Sequence, residues 1–137
     1  MIYTSYFAKL KSLPKNVIPI SICGKAPDWY NGLQYKKLAP KYNFFMEWKN
    51  SHDNDYYIEH FQHEVLNPLN VYKVIDDLYE LLSEDQKRIL EMCNCLPSDN
   101  NQIHICLICY EKPSDFCHRH LVADWLNKNG FTCKEYK

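Results

Sequence analysis

Residues 103–120 read IHICLICYEKPSDFCHRH and contain three successive patterns. The apolar run 103–109 is too short for a helix and is typical of a strand buried on both faces. A short polar turn follows, and the segment from Cys117 then carries apolar residues at helical spacing. This order predicts a strand, a loop and a helix N-terminus, where unpaired N–H groups and the helix dipole attract anions.

Strands and helices are also predicted on both sides of this stretch. The sequence predicts strands at 2–6 and 17–23, a loop at 24–32, helices at 42–49, 55–66 and 71–82, and another helix that begins with a capping box at 83–86. A loop is predicted at 94–101, the helix from 118 should end at Asn129-Gly130, and a short strand is predicted within 131–136. Alternating strands and helices predict one domain, 1–137, with a three-layer α/β sandwich in which helices flank a small, mainly parallel, Rossmann-like sheet.

Composition excludes several classes of protein. Of 137 residues, 46% are apolar and 15% aromatic, which excludes a disordered chain, and the net charge of -1 gives no overall attraction to nucleic acid. No segment approaches the roughly 20 apolar residues that span a bilayer, so no membrane association is predicted. Seven cysteines, an odd number without a signal-peptide pattern, predict reduced thiols in the cytoplasm.

Several polar and reactive side chains follow the predicted strands. In open parallel sheets, ligands bind outside the carboxyl ends of the strands. The first strand ends with Thr4, Ser5 and Tyr6, the second leads into Cys23, Gly24 and Lys25, and the third leads into Cys109, Tyr110 and Glu111. The helix that begins near Cys117 should face the same crevice, so we expect one binding pocket there.

The side chains at the helix start suggest specific roles. The guanidinium of Arg119 can bind a phosphate or carboxylate through bidentate hydrogen bonds. The pKa of Cys117 should fall beside His118, Arg119 and the helix N-terminus, which would make it a nucleophile. Glu111 either holds Arg119 in place or acts as a general base, and His118 is a third candidate catalytic residue. A structural alternative is that His118 caps its own helix and Glu111 forms a purely structural ion pair with Arg119.

An aromatic and basic segment lies between the first two strands and the helices. Trp29 or Tyr30 can stack on a nucleobase while Lys25 binds a phosphate, and this combination indicates a nucleotide or a nucleic-acid end as ligand. The alternative is that these aromatic residues anchor the loop on the core.

The Cys109-Tyr110-Glu111 and Cys117-His118-Arg119 pair resembles the signature of a bacterial family called domain of unknown function 488. That family carries Cys-x-Glu at the end of a strand and Cys-His-Arg at the start of a helix. The resemblance covers most of the chain, with the central helices matching only loosely. It implies an α/β fold and a functional site around Cys109, Glu111, Cys117, His118 and Arg119, and it names no substrate.

Metal binding is not predicted, and no cofactor is expected. Soft ligands that zinc could bind are present at Cys93, Cys95, Cys109, Cys117, His118 and His120. However, Cys93-x-Cys95 lacks the spacing of common zinc knuckles, and His118 and His120 should project from different sides of a helix. The leading hypothesis is a cytoplasmic α/β protein that binds an anionic ligand, with thiol- or carboxylate-based catalysis left open. The alternatives are a zinc-stabilised domain and a non-enzymatic module whose helix 71–82 binds a partner protein.

Overall fold

A computed structural model describes residues 1–93 and 102–137 of the chain. Its strands are β1 (Ile2–Tyr6), β2 (Val17–Ser21), β3 (Leu33–Gln34), β4 (His104–Cys109) and β5 (Cys133–Glu135). Its α-helices are α1 (Tyr42–Ser51), α2 (Asn54–Phe61), α3 (Val71–Glu80), α4 (Glu84–Cys93) and α5 (His118–Lys128). Short 3-10 helices span Phe7–Ser12 and Lys36–Leu38, and a π-helical turn, Gln62–Leu66, continues α2.

The five strands form one sheet in which every described pair is parallel. The strand order is β3-β2-β4-β1-β5, so β4 lies at the centre. Every residue of β4 after His104 is buried, as the continuous apolar run predicted. The predicted α/β sandwich with a small parallel sheet is therefore confirmed.

The two faces of the sheet are covered differently. Alternate residues of β4, Ile105 and Leu107, join a core cluster with side chains from α1, α2, α3 and α5. Cys106 and Ile108 face the other side, where Phe7 of a 3-10 helix and Tyr30 of a loop cover them. This alternation follows from the two-residue side-chain period of a strand.

Helix α3 points its apolar stripe toward the core. Val71, Val74 and Leu78 are buried in the main cluster, so this stripe is not a docking surface for a partner. No helix among residues 1–93 and 102–137 combines the length and apolar character of a membrane span. The predicted loop at 94–101 lies outside the described residues.

Helix boundaries follow the predicted signals. Ser83 and Gln86 form the expected reciprocal capping box, with N–O distances of 2.9 and 3.2 Å between backbone and side chain. Helix α5 ends before Gly130, whose φ of 89° lies in the left-handed region that glycine adopts without strain. The backbone N–H of Phe131 then donates to Leu126 O at 3.0 Å, which closes the helix end.

Asn70 caps α3 and offers a test of helix capping. Its Oδ1 accepts hydrogen bonds from the backbone N–H groups of Tyr72 at 2.9 Å and Lys73 at 3.3 Å. Replacing Asn70 with alanine should lower the free energy of unfolding by about 1 kcal/mol, measured by urea denaturation. The matched variant Asn31→Ala in an exposed loop should stay within about 0.5 kcal/mol of wild type. Equal stability of the two variants would contradict the capping role.

Candidate functional site

One pocket lies at the carboxyl ends of β2 and β4, beside the N-terminus of α5. It has a volume of about 450 Å³. The floor carries polar and sulfur-containing groups, and the walls are mostly aromatic or apolar side chains from α1, α2 and the turn before α5. The lining residues from the strand ends and α5 are Cys23, Gly24, Lys25, Cys109, Tyr110, Glu111, Cys117 and His118, and those of the walls are Pro40, Tyr42, Phe45, Met46, Trp48, Tyr57 and Phe116.

Cys109 is at the centre of a cluster of reactive side chains on the pocket floor. Its Sγ is 3.5 Å from Cys23 Sγ and 3.5 Å from His118 Nδ1. It also lies 3.4 Å from Glu111 Oε2, to which the thiol donates. The Sγ atoms of Cys109 and Cys117 and a ring nitrogen of His118 all lie within 4.8 Å of one another. The sequence prediction that Cys109, Glu111, Cys117 and His118 share one pocket agrees with this geometry.

The protonation of the His118 ring follows from its surroundings. His118 Nε2 is 2.8 Å from the backbone carbonyl oxygen of Ile22, and a carbonyl oxygen only accepts hydrogen bonds. Nε2 therefore carries the proton, and in the neutral ring Nδ1 presents a lone pair toward Cys109. The structural alternative, in which His118 caps its own helix, does not describe this arrangement.

The thiol of Cys117 differs from its sequence prediction. Cys117 is the N-cap residue of α5, but its side chain makes no capping hydrogen bond. Its hydrogen bond with Cys109 and its burial raise the pKa of the Cys117 thiol, although the hydrogen bond with His118 opposes the shift. The predicted fall in the pKa of Cys117 is therefore wrong, because desolvation and the neighbouring thiol outweigh the imidazole and the helix N-terminus.

The pKa of Cys109 is raised as well. The hydrogen bond with Cys117 alone would lower the pKa of Cys109, but the hydrogen bond from Cys23 and burial together exceed it. Both thiols are thus protonated in the resting site. A reaction or ligand that uses them as thiolates has to remove their protons.

Arg119 lies outside the pocket lining and makes structural contacts. It is fully buried, and its Nη2 and Nε atoms donate to the two carboxylate oxygens of Glu135 at 3.1 and 3.2 Å. Nη1 donates to the backbone carbonyl oxygen of Glu111 at 2.6 Å, and the guanidinium lies 5.8 Å from the Tyr6 ring centroid. Thr4 Oγ1 also donates to Glu135 at 2.6 Å. Nε, Nη1 and Nη2 of Arg119 thus each donate to Glu135 or to the Glu111 backbone, and Arg119 is not among the residues that line the pocket, in contrast to the ligand contact predicted from sequence.

Glu111 holds Arg119 only through its backbone. From the sequence, the Glu111 carboxylate was predicted either to pair with the Arg119 guanidinium or to act as a general base. Arg119 instead pairs with Glu135, which leaves the Glu111 carboxylate to line the pocket and accept from Cys109.

Lys25 and Tyr110 reach the pocket, whereas four other predicted residues do not line it. Tyr110 donates its hydroxyl to the backbone oxygen of Lys25 at 2.6 Å. Tyr30 is buried and donates to Leu33 O at 2.7 Å, so it anchors the loop on the core. Outside the lining are Ser5 and Tyr6 at the end of β1, together with Trp29 and Tyr30.

The aromatic wall of the pocket was not predicted from the sequence, and Cys23 was considered only as a strand-end residue, without a role in the site. Tyr42, Phe45 and Trp48 are three residues apart on α1, and this spacing was the available signal for a shared helix face. Cys23 was visible as a strand-end residue, but nothing local indicated its contact with Cys109.

Comparison with known proteins gives one match. A family model described as DUF488-N3a, the active DUF488-N3 subclade, matches residues 5–105 and 96–130. These ranges include all of β4 and α5, and every residue of the thiol cluster. No match was found among curated proteins or among solved structures.

Proposed function

The chain belongs to the DUF488 family, and from this premise we propose that its pocket is an active site for a nucleotide or nucleic-acid end. The observation that carries the proposal is the cluster of thiols, imidazole and carboxylate on the floor of an aromatic-walled pocket.

The pocket walls suit a planar ring. Phe45 and Trp48 lie with their ring centroids 6.1 Å apart, and Trp48 lies 5.6 Å from Phe116. Side chains of this kind stack on any nucleobase, at about 1–3 kcal/mol per base. We therefore expect the base of the ligand to contact the α1 wall, in place of the Trp29 and Tyr30 predicted from sequence.

A positive charge at one side of the pocket can bind an anionic group. Lys25 is exposed near the start of the loop after β2 and lines the pocket. With Arg119 paired to Glu135, we propose that Lys25 supplies the positive charge for the phosphate. Glu111 lies on the floor beside Cys109, where its carboxylate can accept a proton from a bound ligand. The chemistry we propose is therefore carboxylate-based, with Glu111 as the proton-transfer group.

The compartment we propose is the cytoplasm. Five cysteines among the described side chains are free thiols: Cys23, Cys106, Cys109, Cys117 and Cys133. Free thiols persist in reducing compartments.

Ligand binding by Lys25 variants tests the proposal. Nucleoside monophosphates and short oligonucleotides should bind the wild-type protein, measured by calorimetry, and free nucleosides should bind more weakly. Lys25→Ala should weaken phosphate-bearing ligands about tenfold, which corresponds to about 1.4 kcal/mol for a lost charge-assisted contact. The exposed control Lys36→Ala should bind as wild type does. The proposal fails if no such ligand binds, or if Lys25→Ala and Lys36→Ala have the same affinity.

A further inference from the structure

We propose that Cys109, Cys117 and His118 form a binding site for a soft divalent metal ion, with zinc as the natural occupant. All three residues are buried, and their ligand atoms lie within 4.8 Å of one another. Two thiolates and one imidazole are a donor set that zinc binds. The site is defined by protein atoms alone, so the inference goes beyond the nucleotide proposal and does not depend on it.

The distances agree with tetrahedral coordination. With Zn–S near 2.3 Å and Zn–N near 2.0 Å, a sulfur and a nitrogen ligand are about 3.6 Å apart in a tetrahedron. The distance between Cys109 Sγ and His118 Nδ1 is 3.5 Å. This pair is therefore already at ligand spacing, and Cys117 Sγ lies within 4.8 Å of both atoms.

The orientation of His118 is that of a metal ligand. A ligating histidine usually donates its other ring N–H to a carboxylate or a backbone carbonyl, which fixes the tautomer. His118 Nε2 makes such a contact with Ile22 O at 2.8 Å, and Nδ1 then points its lone pair at the thiols. The Phe61 ring packs against the imidazole, with ring centroids 5.6 Å apart, and restricts its rotation.

Cys117 departs from the local preference for its position. N-cap positions favour Ser, Thr, Asp or Asn, whose oxygen accepts from the first helical N–H groups. Cys117 occupies the N-cap of α5 without such a bond, and its thiol contacts Cys109 and His118 instead. Residues that depart from the local structural preference of their position are typically found at functional sites, and Cys117 lies within a reactive cluster.

The site lies between a strand end and a helix start, and one side of it is open. Cys109 ends the central strand, Cys117 is the N-cap residue of α5, and His118 is the first residue of that helix. All three line the pocket, which leaves the fourth coordination position facing the pocket space. Three protein ligands with an open fourth position are typical of catalytic zinc sites, whereas structural zinc sites have four protein ligands. Glu111 is beside this opening, with Oε2 3.4 Å from Cys109 Sγ.

Cys109, Cys117 and His118 were among the soft ligands considered from the sequence, and a metal was not predicted because of the Cys93-x-Cys95 spacing and the divergence of His118 from His120. In the structure, His118 joins Cys109 and Cys117, which are eight residues apart and meet because a strand end and a helix start converge. His120 is not part of this group among the described residues.

Cobalt titration tests the site directly. Reduced, chelator-treated protein should bind one Co²⁺ per chain, with thiolate-to-cobalt charge-transfer absorption and the intense visible bands of tetrahedral cobalt, and Zn²⁺ should displace it. Cys117→Ser should weaken Co²⁺ binding by at least about a hundredfold. Mutating a residue that only hydrogen-bonds to a metal ligand already lowers metal affinity about ten- to hundredfold, and Cys117 is proposed as a ligand itself. Cys133→Ser, at an equally buried thiol outside the cluster, should bind Co²⁺ as wild type does.

X-ray absorption of the zinc-loaded wild type provides a second measurement in case a variant fails to fold. We expect two sulfur ligands near 2.3 Å and at least one nitrogen near 2.0 Å. A shell of oxygen and nitrogen alone, or no binding by reduced protein, would overturn the metal site. Rapid disulfide formation between Cys109 and a neighbouring thiol in protein that binds no Co²⁺ would also overturn it. Cobalt binding through two thiolates without any response to nucleotides would support the metal site and contradict the nucleotide proposal.

Discussion

Replacing Arg119 with methionine is expected to lower the free energy of unfolding by about 3–5 kcal/mol. The Arg119 side chain is fully buried, and the Glu135 side chain is 19% exposed. Methionine has a similar length but no charge, so Glu135 would remain partly buried without its partner. The backbone oxygen of Glu111 would also lose the donor that now lies at 2.6 Å. Urea denaturation monitored by tryptophan fluorescence measures the effect.

A surface arginine provides the matched control. Arg88 Nη2 lies 3.1 Å from Asp85 on α4, and both side chains are mostly exposed. Arg88→Met should therefore cost no more than about 1 kcal/mol, because exposed ion pairs contribute little. The double variant Arg119→Met with Glu135→Gln should recover part of the loss, since it leaves no unpaired charge. Equal costs for Arg119→Met and Arg88→Met, or lost nucleotide binding at unchanged stability, would restore the ligand-binding role predicted from sequence.

The sequence predicted the centre of the fold because local patterns specify it. The segment that forms β4 has apolar residues at consecutive positions, and this pattern is typical of a strand whose two faces are both covered. The ends of α5 and α4 were marked by Gly130 and by the Ser83–Gln86 capping box. β3 was not predicted, because two residues are too few to show an alternating pattern.

The partner of Arg119 could not be read from spacing. Glu111 is eight residues away in sequence and made a plausible partner, whereas Glu135 belongs to a strand of three residues. The register of β5 beside β1, with Thr4 opposite Glu135, brings that carboxylate to Arg119. This pairing depends on non-local strand order, which no local motif encodes.

The walls of the pocket were misassigned for a related reason. Trp29 and Tyr30 are next to Lys25 in sequence, but they pack on Phe7, at centroid distances of 5.9 and 5.3 Å. The aromatic wall comes from α1, which reaches the pocket through its packing on α2. Helix packing, and not closeness in sequence, therefore determines which aromatic residues line the pocket.

Truncating Phe61 to alanine should destabilise the protein by about 3–5 kcal/mol, through lost burial and the cavity left behind. Phe61 is fully buried at the end of α2, with its ring 5.9 Å from Tyr57 and 6.5 Å from Phe44. Phe61→Leu keeps more of the side-chain volume and should cost less. Ile89→Ala, at an exposed position of α4, should change stability by only about 0.5 kcal/mol. Thermal and urea denaturation of the three variants measure these differences.

Phe61 also joins the core to the candidate site, so the same variant should alter His118. The Phe61 ring lies 5.6 Å from the imidazole, and its loss opens space beside the imidazole. In Phe61→Ala, the hydrogen bond to Ile22 O remains, but the imidazole of His118 no longer packs against Phe61. The NMR signals of the His118 ring nitrogens should therefore shift and broaden. Those of His52, an exposed residue at the end of α1, should not change. A large stability loss with unchanged His118 signals would mean that the Ile22 hydrogen bond alone fixes the imidazole.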